Sequence, residues 1–475
     1  MSLRNNFIYS SILTVSTYLF PLLVYPYVSR VLGVSNIGIV NFIDNLINYF
    51  VLVSTMGIAT VGVREIAASR NNKQKLSQTF LSLLSLTGIT TFISILTLLA
   101  AMYLVPTLYP YRDMLYTGLA KLLFNLFLIE WFYMGLENFK YITNRSILVK
   151  CAYMICVFLL VKDSSDYKIY YILIVGALAV NSLINLYYSR KFVNYSIFSI
   201  NIRPYAKTYF TMGFYVLLTN IYMSLNAVWL GFVTNTDEVG FFTTATKLHT
   251  IIMSILISFT NILFPRVSSL LSEGKEDEFW QKINLSIDAI FTFAFPTVIY
   301  VLMAGPELLH LIVGNGFEGS YLPLRIITPL ILIVGIEQII VIQILMAMHQ
   351  DNIVLRNSFI GACVAMISNI ILTSSLGAVG SAIVWVIAEC TIMCCSLIDV
   401  YIKYKYVLPY RRLFIYIASY TPLLCMSLFI YYILDNNYAI ISSLAILTIA
   451  YATLNEIFYL KNRIVHQFLK YIHIL

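Results

Sequence analysis

Charge is what this chain has least of. Of its 475 residues, 11% are Asp, Glu, Lys or Arg, while 60% are apolar and the mean hydropathy is +0.84. Soluble domains carry about 25% charged residues, so the shortage excludes a soluble fold with a charged surface. Cysteine is sparse and unpatterned as well: Cys151, Cys156, Cys363, Cys390, Cys394, Cys395 and Cys425 all lie in apolar stretches. An odd number without metal-ligand spacing argues against a disulfide framework and a zinc site. They read as small hydrophobes in helix contacts, and no metal or cofactor is expected. Also missing are a P-loop, a dinucleotide fingerprint and a nucleophile elbow, which sets ATP hydrolysis aside. The apolar run after Arg4 shows no small-residue cleavage site, so Tyr18–Tyr27 reads as part of a first span rather than of a signal peptide.

What the chain does have is a series of long apolar runs. A bilayer core of about 30 Å needs about 20 residues of helix. That ruler gives spans near 7–29, 37–63, 79–105, 114–136, 146–161, 168–189, 208–233, 240–263, 285–305, 325–347, 355–374, 377–402, 413–434 and 438–460. The expected class is therefore an all-α integral membrane protein of about 14 transmembrane helices; about 12 or 13 would also fit the weak fifth span and the tight turn Leu376–Gly380. The runs are too long and continuous for alternating barrel strands. With the N-terminus in the cytoplasm, about 23 Lys and Arg fall inside and about 5 outside, which follows the positive-inside rule. The inner set includes Arg64, Arg70, Lys140, Arg145, Lys150, Arg266, Lys403, Arg411, Lys461, Arg463 and Lys470; the outer set is Arg30, Arg112, Lys162, Lys168 and Arg325. This predicts a multi-pass protein with both termini cytoplasmic. It also accounts for the net charge of +8 through an anionic leaflet, with no nucleic acid as partner.

The chain repeats itself at half-length. Gly38 falls on Gly240, Arg64 on Arg266, Thr17 on Thr219, Asn45 on Lys247 and Asn48 on Thr250, each 202 positions on. A parallel repeat of six-helix lobes is the sequence mark of a duplicated transporter. The expected layout is an N-lobe over 1–202, a C-lobe over 203–408, and an appended hairpin and tail over 409–475, with a substrate path between the lobes.

Helices lining such a path should carry polar stripes, and several do. Span 8 has Thr243, Lys247, Thr250, Ser254, Ser258 and Asn261 in steps of three or four. Span 2 has Asn41, Asn45 and Asn48 with Asp44 beside them; span 7 has Tyr215, Thr219, Tyr222 and Asn226. The plainer reading is that small polar residues glue helices together. Charges within spans are few: Asp44, Lys121, Glu130, Lys247, Asp288, Glu337 and Glu389. Such residues mark a pathway, a relay or an ion pair. Lys247 and Lys121, with Arg30 at the outer end of span 1 and Asn45, Asn48 and Thr250 on the stripes, are the candidates for holding an anion. Asp44, Glu130, Glu337 and Glu389 are the candidates for a gate or for ion coupling. Asp44 and Lys247 could meet as a breakable salt bridge. Glu130 and Glu137 lie seven apart on one expected face of span 4.

Four stretches carry a family resemblance: SRVLGVSNIG (Ser29–Gly38), MGIATVGVREIA (Met56–Ala67), WFYMGLENFKYITNRS (Trp131–Ser146), and the run from Ala347 to Glu389 with the Gly377–Gly380 turn. Together they resemble the bacterial polysaccharide, or O-antigen, flippases of the multidrug/oligosaccharidyl-lipid/polysaccharide exporter superfamily. The resemblance implies flipping of an undecaprenyl-pyrophosphate-linked oligosaccharide from the cytoplasmic to the periplasmic leaflet of the bacterial inner membrane. It implies alternating access, cationic residues on the pyrophosphate, membrane lipids as surroundings, H⁺ or Na⁺ as a coupling ion, and polysaccharide polymerase and glycosyltransferases as partners. Two relatives compete: a multidrug/cation antiporter, disfavoured because no acid stands between Phe7 and Val28, and a lipid II flippase, richer in Arg at spans 1 and 2. An enzyme is not expected, because the outer loops are short and their acids scattered.

Overall fold

The computed structural model of the chain describes residues 3–195 and 200–460. The side chains of Tyr215, Thr219, Tyr222, Ser258, Asn261 and Arg266, and the whole of Lys461, Arg463 and Lys470, lie outside the described residues. All regular structure among the described residues is helical: α1 (Leu3–Thr55), α2 (Ile58–Ser69), α3 (Lys73–Leu104), α4 (Arg112–Leu126), α5 (Glu130–Gly135), α6 (Phe139–Leu160), α7 (Tyr167–Ser189), α8 (Arg203–Val233), α9 (Thr236–Ser272), α10 (Glu276–Val313), α11 (Tyr321–Ile327), α12 (Leu330–Gln338), α13 (Asp351–Ser368), α14 (Ser374–Tyr404), α15 (Tyr410–Ile433) and α16 (Asn437–Leu454). Each expected span coincides with helix.

Nine helical stretches among the described residues are long and apolar enough to cross a membrane, or ten if the bent pair Glu318–Ile327 and Leu330–Met346 is one span. Two of the nine are long enough for more than one crossing: Ile8–Ser69 has 62 residues and Asp351–Tyr404 has 54. Both are broken by a glycine with positive φ, Gly33 (φ 74) and Gly377 (φ 57), where a side chain would be strained. Large apolar side chains stand open along these helices, among them Phe92, Leu159, Ile370 and Ile446. In water such a surface would aggregate; against acyl chains it is the natural one.

The chain forms two compact units, Met1–Gly240 and Phe241–Leu475. The helix α8 thus packs with the first unit rather than beginning the second, one helix away from the expected lobe boundary at 202/203. In the first unit, α1 before Gly33 and α6 run parallel and in register. Thr143 Oγ1 donates to Tyr9 O, Lys150 Nζ to Ser16 Oγ, and Tyr27 OH to Val161 O, three bonds with the same separation of 134 positions. Asn36, just past Gly33, donates to Ser164 O, so both arms of α1 meet one loop and Gly33 marks the reversal. Behind them Ile58, Val61, Phe80, Trp131, Phe132, Ile142 and Tyr209 form a core. The fifth span begins at Phe139, not at 146 as expected, so Arg145 lies inside helix.

At the Gly33 end the duplicated glycines meet. A side chain at Gly38 would collide with the backbone of Thr236 and approach Gly240, and one at Gly240 would collide with Val34. Since 34 and 236 are also 202 apart, the two copies touch through matching positions. Ser35 Oγ and Thr236 Oγ1 close the contact at 3.0 Å.

The second unit centres on α10, α12, α13 and α14, with Ile283, Ile287, Phe291, Ile340, Tyr416 and Tyr420 in its core. Three wide π-helical turns interrupt it, at Ile339–Met346, Asn369–Thr373 and Asn455–Tyr459. Such turns are rare and favour functional sites. The hairpin α15–α16 is closed by buried polar contacts, Tyr420 OH donating to Glu456 Oε1 at 3.0 Å and Asn455 Nδ2 to Ser419 Oγ at 3.1 Å, and it is tied to α10 by Thr292 Oγ1, which donates to Glu456 Oε2 at 3.3 Å.

Candidate functional site

Five of the seven charges within the spans gather into three groups; of the other two, Asp288 accepts from Arg412 at 2.5 Å and Lys247 lies on α9. In the first unit, Asp44 and Asn48 lie one turn apart on α1, and Lys121 reaches them from α4. Lys121 Nζ donates to Asp44 Oδ1 at 2.6 Å and to Asn48 Oδ1 at 2.8 Å, while Asn48 Nδ2 donates to Asp44 Oδ2 at 3.3 Å. Lys121 is 8% exposed. Three tyrosines stand within electrostatic reach of Asp44: Tyr153 on α6, and Tyr170 and Tyr171 on α7. The Tyr153 and Tyr170 side chains stand near each other, and the Tyr171 hydroxyl is buried without a hydrogen-bond partner among the described residues. Chemically this is a cation held by one removable carboxylate and surrounded by neutral donors.

Asp44 thus finds a cation inside its own unit, on the neighbouring helix α4.

In the second unit, like charges meet. Glu337 on α12 and Glu389 on α14 stand within electrostatic reach of each other, and Trp385 Nε1 donates to Glu389 Oε1 at 2.9 Å. Both carboxyls are buried. The ring of His249 on α9 packs edge-on to Trp385 at 5.1 Å. Among the described residues of this unit, His249 Nδ1 and Nε2 and Glu337 Oε2 are buried without a hydrogen-bond partner; so are both side-chain polar atoms of Gln343, on the π-helical turn.

The third group is Glu130 and Arg145. Arg145 Nη2 donates to Glu130 Oε1 at 2.5 Å. Glu130 and Glu137 do not share a helix face: the chain breaks at Ile129 (φ 32) and again at Glu137 (φ 57), whose carboxylate accepts from Arg70.

Arg30 is exposed next to the Gly33 reversal, and Asn45 turns back to its own helix, donating to Asn41 O at 2.8 Å. Lys247 is half-buried on α9 in the second unit, while Thr250 is exposed and donates to Thr246 O. Sequence reasoning passed over Arg145, His249, Trp385 and the three tyrosines. Only Arg145 left a trace, in an opposite charge at Glu130 across a short loop.

The family model described as polysaccharide biosynthesis protein matches residues 3–271. A proposed O-antigen transporter of Escherichia coli (strain K12) is 25% identical over 403 residues, covering 82% of this chain and 95% of that protein. The solved structure of lipid II flippase MurJ in its inward closed conformation matches with a TM-score of 0.76 at 14% identity, over 96% of this chain and 99% of that one. An inward-facing multidrug resistance MATE family transporter of the MOP superfamily matches with a TM-score of 0.60 at 15% identity, over 80% and 93%. At these identities the two structural likenesses speak to fold alone.

Proposed function

This chain belongs to the polysaccharide biosynthesis protein family, and from that premise we propose that it flips a lipid-linked oligosaccharide across the membrane. The O-antigen transporter similarity supports the substrate class, and the MurJ-like fold suits a lipid diphosphate headgroup. Movement runs from the cytoplasmic to the periplasmic leaflet by alternating access, with both termini inside. Undecaprenyl-pyrophosphate-linked glycan is the cargo, handed over by glycosyltransferases and passed to a polymerase.

The observation that carries this reading is Lys121, a buried cation whose charge is balanced by a single carboxylate. A diphosphate entering beside it would compete with Asp44 for the ammonium. Displaced, Asp44 would be left a half-buried, uncompensated carboxylate, a costly state that is relieved by taking up a proton. Anion binding and proton uptake are then one event. Glu337 and Glu389 serve as a second proton store in the other unit, which makes H⁺ rather than Na⁺ the coupling ion. The tyrosines near Asp44 offer rings and hydroxyls to sugars. An antiporter for organic cations fits less well, because the one acid of this group already has its cation.

The test is complementation of a bacterial strain lacking its own polysaccharide flippase, with membrane expression checked by blot. The intact chain restores surface glycan and Lys121→Gln does not. Resistance to cationic drugs without restored glycan would instead support the antiporter.

A further inference from the structure

One buried cation has no part in that scheme. Arg145 lies in the second turn of α6 with its side chain 4% exposed. Of its three nitrogens only Nη2 has an acceptor, Glu130 Oε1; Nε and Nη1 are buried without one among the described residues. Guanidinium N–H groups left so are costly, and such orphans are characteristically met by a bound oxygen. Farther along α6, Lys150 Nζ donates to Ser16 Oγ at 3.0 Å and Thr17 Oγ1 at 3.2 Å. Its ammonium lies within electrostatic reach of both Glu130 and Arg145. The parallel register of α1 and α6 is what sets these hydroxyls opposite the lysine. Two cations against one carboxylate leave the group net positive, and Glu130, 32% exposed, opens it to the surroundings.

We propose that Arg145 and Lys150, with Ser16 and Thr17, form an oxyanion cradle that receives the diphosphate headgroup of the substrate before Lys121 does. The proposal rests on the flippase reading. A planar guanidinium with two free donor nitrogens and a second ammonium match a group with many charged oxygens; Ser16 and Thr17, whose hydroxyls donate to Leu13 O, hold that ammonium in place. Depth supports the order. Counted from the reversal at Gly33 at about 1.5 Å per residue, Asp44 lies roughly 17 Å down one arm; on the other, Thr17 lies roughly 24 Å down and Ser11, level with Arg145 in the shared register, roughly 33 Å. The cradle thus lies deeper than Asp44, and with both termini inside it is the nearer to the cytoplasm. Glu130 holds the guanidinium in place and trims the net charge, so the anion is held without being trapped. Binding on a path must be weak enough to release.

The test uses the purified full chain in nanodiscs, with farnesyl diphosphate as probe and phosphatidylglycerol as competitor. The variants are Lys150→Gln, the double variant Arg145→Gln with Glu130→Gln, and Lys121→Gln as reference. The double change leaves no buried carboxylate unpaired, and Lys150→Gln alone decides if the double variant melts early. At unchanged melting temperature, farnesyl diphosphate affinity falls at least about tenfold in both cradle variants. Unchanged affinity there, with a fall in Lys121→Gln, overturns the cradle, leaves the functional reading standing, and makes bound water the answer to the Arg145 donors. Displacement by phosphatidylglycerol as effective as by unlabelled probe also overturns it, in favour of a general phospholipid site. If the intact chain binds no farnesyl diphosphate, the cradle and the functional reading fail together.

Discussion

The two units bury charge on opposite terms. In the first, Asp44 and Lys121 neutralise each other and need nothing from solution. In the second, two acids, Glu337 and Glu389, are buried within electrostatic reach of each other. A buried ion pair offers a cation that a stronger anion can claim, whereas a buried acid pair offers a place to keep or release a proton. The lesson is that a chain with so few charges can place both an anion site and a proton site in the membrane, provided each is balanced within its own unit.

The comparison breaks most visibly at Lys121. Replacing it by Met leaves the half-buried Asp44 uncompensated, read as a fall in melting temperature in detergent and as loss of glycan flipping in proteoliposomes. Adding Asp44→Asn restores the melting temperature and not the flipping. A double variant that flips at the intact rate would remove the anion site from the first unit.

The duplicated glycines give the next largest effect. Gly38→Leu must displace the Thr236 backbone and Gly240→Leu the Val34 backbone, each at about 1–3 kcal/mol. If the units descend from one repeat, the two drops in melting temperature are alike; a drop for one alone would break the symmetry.

Glu389→Gln sharpens the contrast. An amide beside Glu337 exchanges no proton, so stability holds while proton-driven flipping slows about tenfold, or about 1.4 kcal/mol, and no longer responds to a pH gradient. An unaltered response would relieve this pair of any role in coupling.

The smallest effect belongs to the exposed pair Lys168–Asp113, 2.8 Å apart. The hydrogen bond from Lys168, and then its charge, hold the Asp113 carboxyl below the usual carboxylate range. Its contribution is thus present above that range and lost as pH falls through the lowered value. Being fully in solvent, Asp113→Asn leaves melting and flipping unchanged at neutral pH.

How much of this was legible depends on what lipid demands of a sequence. Helix positions were readable because each crossing needs about 20 apolar residues with every backbone group satisfied. The fifth span was read short because Arg145 looks like a loop charge to any hydropathy count; it enters the helix only with Glu130 beside it. The residues that form the anion group were all visible as charges or amides within spans, but their pairing was not. Asp44 and Lys121 are 77 positions apart on helices whose adjacency no periodicity states. Lys247 drew attention through the repeat, which relates positions by descent and not by contact. His249 and Trp385 looked like ordinary core residues and matter only because α9 and α14 set them beside Glu389.

The most direct test of the account is the affinity of the Asp44→Asn variant for farnesyl diphosphate in nanodiscs, beside the intact chain. If Asp44 is the resident competitor for Lys121, removing its charge makes binding about tenfold tighter and abolishes the proton uptake that accompanies it. Binding that is equal or weaker, with proton uptake intact, would contradict the claim that the diphosphate and Asp44 compete for one ammonium.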